Sequence, residues 1–277
     1  MYCIENSWFV NNIMYTPLSK SYKNRYPFKI GTTSYIYPDN IIPNVKMLGP
    51  YLDEIELLIF ESSDETLPSP DIFKELAYLS EEFDITYNIH LPTDVSLADP
   101  LYIRQKDALN KIKRVIHLAA PVLPSTYTLH LPYDFAFFGK EAHSKWSKNI
   151  FWVMEELLSS GIESKKVSIE NIMYPFEWAE DLIKKFNLSV CMDMGHLILQ
   201  NINTEDFFFR YYEYISIIHL HGVDANKDHI SLARMKEKES VRVINILKKF
   251  KGVVSIEVFL FNDLESSLKT FDEIWDY

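Results

Sequence analysis

Cysteine is scarce: Cys3 and Cys191 are the two present in 277 residues. Separated so widely, they offer neither a disulfide framework nor a thiolate zinc site. Cys191 lies inside an apolar run and reads as a small core residue. Positive charge is also short, with 28 Lys and Arg against 39 Asp and Glu, for a formal net charge of −11. That balance argues against a protein that grips duplex nucleic acid by neutralising phosphates, though not against a small phosphorylated substrate held through a metal. No apolar run is long enough to span a bilayer. The opening segment lacks the basic start and continuous apolar stretch of a signal peptide. A cytoplasmic protein with no membrane or nucleic-acid partner is therefore expected. Low-complexity stretches and internal linkers are absent too.

What the chain has is a steady alternation of short apolar runs with helical patterns, and 47% hydrophobic residues. Strands are predicted at 28–34, 54–60, 85–91, 126–131, 167–171, 189–193, 216–220 and 253–258. Each is apolar at most positions, as in parallel strands covered on both faces. Ile72, Leu76, Leu79 and Phe83 recur at helical spacing after Ser69-Pro70-Asp71, where Ser69 can cap and Pro70 suits the first turn. Leu109, Ile112, Val115 and Ile116 form a second stripe before Pro121. Phe151, Met154, Leu157 and Leu158 form a third, ending at Gly161. Val241, Val243, Ile244 and Leu247 precede Lys248, Lys249 and Gly252, placing cations at a negative helix end. Leu264, Leu268, Phe271 and Ile274 close the series. Eight strand–helix alternations in a length near the ~250 residues of one α/β barrel predict a single (β/α)8 TIM barrel over residues 27–277. Residues 1–26, carrying Trp8, Phe9, Tyr15, Tyr22 and Tyr26 among polar neighbours, read as an irregular N-terminal extension.

Chemistry gathers where these strands end. Apolar runs close on His90, His130, Glu170, Asp193 with His196, His219 with His221, and Glu257. In such barrels the C-terminal ends of the strands build the active site. Imidazoles and carboxylates converging there, without sulfur, suit zinc, manganese or iron(II) in an open site, and so many donors could hold more than one ion. His90 and His130 are each followed by Leu-Pro, which stops the ladder and leaves the ring at the rim. Glu170 and Glu257 each follow Ser-Ile late in a strand. A buried carboxylate is costly unless paired or metal-bound, and no basic residue closes a neighbouring strand. Asp193 and His196 sit three apart around Gly195, read as a glycine turn. His219 and His221 share one sheet face, with His219 the better candidate ligand. Asp224, Asp228 and His229 lie on the loop after strand seven, His229 being the favoured donor and the two aspartates left open. Glu61 is a candidate contact or a solvated loop residue; His117 and His143 fall within helices as packing or surface residues.

His90-Leu-Pro with Leu97-Ala98-Asp99-Pro100, His130, Glu170-Asn171, Asp193-x-Gly-His196, His219, His229 and Glu257 together resemble the xylose-isomerase-like barrel superfamily, in particular its endonuclease IV branch. The resemblance runs from about Phe28 to the C-terminus. It implies that His90, His130, Glu170, Asp193, His196, His219, His229 and Glu257 bind one to three divalent metals, zinc or manganese. The family's aspartate two residues before the last histidine falls on Lys227, leaving Asp228 or Asp224 to complete a third position. More finely, Phe28 to Asp39, Asp53-Glu-Ile-Glu-Leu-Leu with Phe60-Glu61-Ser62, and Tyr87 to Pro92 resemble the cobamide-remodelling phosphodiesterases. That resemblance implies a corrinoid substrate whose nucleotide loop is cut to cobinamide phosphate and a ribonucleoside, with Glu257 or Glu170 positioning the nucleophile. Two other readings stand beside it: a sugar isomerase or epimerase using Glu170, Asp193, His219 and Glu257 around one metal, and a non-catalytic corrinoid-binding barrel.

Overall fold

A computed structural model describes residues 9–10, 13–133, 143–172, 174–225 and 227–276 of the chain. Eight parallel strands close into one barrel. In chain order they are β1 (Lys29–Thr33), β2 (Glu54–Leu58), β3 (Thr86–His90) and β4 (Tyr127–Leu129), then β5 (Val167–Glu170), β6 (Ser189–Asp193), β7 (Ile215–Leu220) and β8 (Val253–Ile256). Each strand pairs with its sequence neighbour, and β8 closes on β1 through Val254 opposite Ile30. The fold class is thus the one the patterning predicts, with every strand observed within one or two residues of its expected bounds. A closed sheet leaves no edge to protect.

Helices cover the outside: α1 (Ile41–Leu48), α2 (Pro70–Phe83), α3 (Tyr102–Ala119), α4 (His143–Leu158), α5 (Glu180–Phe186), α6 (Met194–Leu199), α7 (Thr204–Tyr211), α8 (Glu237–Leu247) and α9 (Phe261–Trp275). Their apolar stripes, including Leu76 and Leu79 on α2 and Leu264, Leu268 and Phe271 on α9, are buried against the barrel. Ser69 occupies the N-cap of α2 but makes no side-chain cap bond, so Pro70 carries the start signal there. Gly161 adopts φ +89°, but three residues beyond the end of α4, in the turn that feeds β5. No described helix is long and apolar enough to cross a membrane.

The segment before β1 packs beneath the barrel. Tyr22 and Tyr26 are buried, the Tyr22 N–H donates to the Tyr51 carbonyl at 2.8 Å, and the Asn24 N–H donates to Asp53 Oδ1 at 2.9 Å. Lys20, Arg25 and the Tyr26 hydroxyl converge on Asp272 of α9. A two-residue antiparallel ladder, Phe9–Val10 with Ile13–Met14, precedes this strap, and Trp8 lies outside the described residues.

Candidate metal centre

Strand registers decide which side chains enter the barrel. Glu56 lies opposite Asn88, His90 opposite Thr128, Glu170 opposite Cys191, and Asp193 opposite His219, which itself faces Ser255. Because alternate residues of a strand share a face, all of these point into the barrel, His90, Glu170, Asp193 and His219 toward its C-terminal mouth and Glu56 a step below them. His130 follows β4, His221 follows β7, and Glu257 follows β8. His196 is carried by α6 and His229 by the second arm of a small hairpin, Gly222–Asp224 with Lys227–Ile230.

Glu170 stands at the middle of this layer and faces two ways. Its Oε2 contacts His130 Nε2 and lies 3.5 Å from His90 Nε2, while Oε1 is 3.0 Å from His219 Nδ1. His219 Nδ1 also lies 3.3 Å from Glu257 Oε2. Donor atoms of Glu170, Asp193, His219 and Glu257 all fall within 4.8 Å of one another, as do those of His90, His130 and Glu170, and those of His196, His221 and His229. The structure therefore brings together all eight residues that the family resemblance implies as ligands, in three groups, two of which share Glu170.

Each donor is held by its local fold. Asp193 caps α6, with Oδ1 accepting the His196 N–H at 2.7 Å. The predicted glycine turn is thus the first turn of a helix, and Gly195 is needed for closeness instead: a Cβ there would lie 2.0 Å from His221 Cε1. Asn171 clamps the end of β6 by donating to the Asp193 carbonyl at 3.0 Å and accepting its N–H at 2.8 Å. His90 and His229 turn their Nδ1 atoms to the carbonyls of Leu91 and Glu257 at 3.1 Å. With Nδ1 protonated, each ring leaves Nε2 as the free donor.

Charge in the layer is unbalanced by any Lys or Arg among the described ion pairs; the recorded partners of these carboxylates are imidazoles. Burial alone would raise the Glu170 carboxyl, but His130 and His219 outweigh it and hold it well below the usual range. Glu257 is depressed in the same way by His219 and His229. Burial would lower His219, yet Cys191, Glu56, Glu257 and Glu170 push it well up, and Asp193 raises His221 to about 9. Protons thus sit where a dication would balance the same carboxylates. Asp193 Oδ2, His196 Nδ1, His221 Nε2 and Glu257 Oε2 are buried with no hydrogen-bond partner among the described residues. Unsatisfied buried donors and acceptors are rare, and divalent ions on these oxygen–nitrogen groups would satisfy them.

Other candidates fall elsewhere. Asp224 and Asp228 are exposed and belong to no donor group, and His221 stands with His196 and His229 in place of the carboxylate that Lys227 lacks. Glu61 is exposed in a 250 Å³ side pocket with Tyr35, Phe60, Thr66 and Pro68. His117 is exposed on α3, and His143 packs on Trp178 at 4.6 Å. Cys191 is buried, as expected of a core residue, but it faces inward, its thiol grouped with Glu170 and His219 and pushed well up by burial. Two features escape a reading of strand ends. Glu56 lies mid-strand, Oε1 3.0 Å from His219 Nε2; the signal for it is the Glu54-x-Glu56 alternation within an otherwise apolar run. Phe60 and Phe259 form an aromatic lip, edge-on to His90 at 5.6 Å and tilted over His229 at 5.2 Å.

Fold and site together define a parallel α/β barrel with a cluster of histidines and carboxylates, a candidate metal centre, at its C-terminal mouth. The chain belongs to the xylose isomerase-like TIM barrel family, whose sequence pattern matches residues 44–273. Among solved structures it is similar to a D-tagatose 3-epimerase-like protein, with 20% identity, a TM-score of 0.73, and coverage of 90% of this chain and 98% of that one. It is also similar to 3-keto-D-glucoside 4-epimerase from E. coli, with 14% identity, a TM-score of 0.69, and coverage of 89% and 99%. An AP endonuclease of family 2 from Brucella melitensis matches at 14% identity, with a TM-score of 0.66 and coverage of 89% and 99%. At these identities the likeness is one of fold. No curated protein matches the sequence.

Proposed function

We propose that this barrel is a metal-dependent phosphodiesterase acting on the nucleotide loop of a cobamide, with zinc or manganese as the metal. One observation carries the reaction class: Glu170 presents Oε2 to His90 and His130 and Oε1 to the His219–Glu257 side. These two groups would hold a pair of ions, with Glu170 able to serve both. A paired centre, when filled, supplies water activation and neutralises charge on both oxygens of a phosphoester displacement. Glu170 and Glu257, held ionised by their imidazole neighbours, hold and orient the attacking water by accepting its hydrogen bonds. The substrate is supported by the resemblance of the first three strands to cobamide-remodelling enzymes and by the Phe60–Phe259 lip, whose ring faces suit a planar corrin or base.

A second reading is a sugar isomerase or epimerase. It is favoured by the group Glu170, Asp193, His219 and Glu257, sufficient for one ion, and by the likeness to the two epimerase structures. Incubating metal-loaded protein with adenosylcobalamin, and following cobinamide phosphate by mass spectrometry, separates them. Product formation with two or more ions per chain supports the phosphodiesterase. No product with any of several metals, together with one tightly held ion and turnover of a ketose, would leave the epimerase standing.

A further inference from the structure

Glu56 is wholly buried on β2, facing the barrel interior below the donor layer. A carboxylate so placed is costly unless something compensates it. Ser255 Oγ donates to its Oε2 at 2.6 Å, and Oε1 lies 3.0 Å from His219 Nε2. That contact lacks the alignment of a full hydrogen bond, yet both atoms are buried with no other bond among the described residues. A small rotation of either group closes it.

The other nitrogen of the ring sets the direction of the proton. His219 Nδ1 faces Glu170 Oε1 at 3.0 Å and Glu257 Oε2 at 3.3 Å. If a metal lies among those acids, Nδ1 must be bare to reach it, and the ring proton must sit on Nε2. A buried Nε2–H requires an acceptor, and the Glu56 carboxylate lies 3.0 Å away. Carboxylates behind metal-binding histidines fix both tautomer and ring angle in this manner.

We propose that Glu56 is a positioning residue of the metal centre, taking the Nε2–H of His219 so that Nδ1 is the metal-binding nitrogen. This rests on reading the site as a metal centre. It adds that the bridge region is aligned from below, by a strand that contributes none of the ligands named above.

The test compares wild type with Glu56→Leu and Glu56→Gln, each checked for fold by circular dichroism. Zinc affinity is measured by chelator competition, and the cobalt(II)-substituted proteins are compared by visible absorption. Leucine removes the acceptor while keeping volume, so affinity at the His219 group should fall about 10- to 100-fold, the usual loss for such partners, with a changed cobalt spectrum. Glutamine, whose carbonyl oxygen can still accept Nε2–H, should recover most of the affinity. Long-range nitrogen–proton NMR on zinc-loaded wild type supplies a reading that needs no variant, and should show the His219 proton on Nε2. Wild-type affinity and spectrum in a folded Glu56→Leu protein, or a proton found on Nδ1, would overturn the proposal alone. If wild type takes up no divalent metal, the metal-centre reading falls and carries this proposal with it.

Discussion

The backbone N–H of His229 donates to Nδ1 of His221 at 3.0 Å, and the two imidazoles stack with centroids 4.1 Å apart. His229 holds φ +49°, a conformation uncommon for a residue with a side chain. The bond from its own N–H helps to keep it there. Across the ring, His221 Nε2 lies 3.3 Å from Asp193 Oδ1. His221 therefore links a strained loop residue to a strand-end carboxylate.

His221→Ala should cost about 1–3 kcal/mol of unfolding free energy, because the His229 N–H loses its acceptor and Asp193 loses its imidazole neighbour. Chemical denaturation of the metal-free protein measures this. Metal content measured alongside should show weakened binding that involves Asp193. Unchanged stability with full metal content would show that His221 supports neither the loop nor the Asp193 side of the site.

Gly195→Ala places a methyl 2.0 Å from His221 Cε1. The ring is fully buried and wedged between Asp193 and His229, so it cannot swing away cheaply. A loss of about 1–3 kcal/mol is expected from such overpacking, with metal content falling as Asp193 and His196 shift. A melting temperature within a degree of wild type would show that the α6 turn adapts.

Most of this centre is legible from residues alone because its chemistry is local: an apolar run that stops on a histidine or acid marks a strand emerging at the rim. His90, Glu170 and Asp193 are read in this way. Glu56 is not, since its meaning depends on register, which decides that it points inward beneath His219. The choice of His221 over Asp224 and Asp228 is hidden for a different reason. It depends on the hairpin after β7, where positive φ values at Ala225 and His229 turn the aspartates to solvent and bring the ring back. Likewise Asp193 caps a helix where Gly195 alone suggests a turn, because capping is decided by where the carboxylate points.

Removing His90 or His130 distinguishes a paired centre from a single one. Each ring approaches Glu170 Oε2, away from the Oε1 that faces His219. His90→Ala and His130→Ala should each release one ion while the group of Glu170, Asp193, His219 and Glu257 keeps its own. On a phosphodiester, turnover should drop at least about a hundredfold, the order expected when one electrostatic stabiliser is lost. Elemental analysis and initial rates check both points. Variants that keep full metal content and full rate would remove the bridge on which the phosphodiesterase reading stands.

Stability of the metal-free protein should depend on pH in two opposite senses. Asp193 raises His221 to about 9 from an ordinary 6.5. A group raised on folding stabilises fully below its unfolded value and loses that contribution as pH climbs through the folded one. The chelator-treated protein should therefore weaken between about pH 6.5 and 9. His221→Asn should flatten that decline. Glu170 and Glu257 work the other way: depressed by their histidine neighbours, they contribute above ordinary carboxylate pKa values and lose that contribution in acid. Divalent metal replaces the imidazole protons, so loading at pH 7 should release protons into weakly buffered solution, and added zinc should restore stability at pH 9. Denaturation midpoints at pH 6, 7.5 and 9, with and without zinc, test this directly. A wild-type protein whose metal-free stability is flat or rising across that range, with no proton release on loading, would mean that these imidazoles are not charged against the carboxylates.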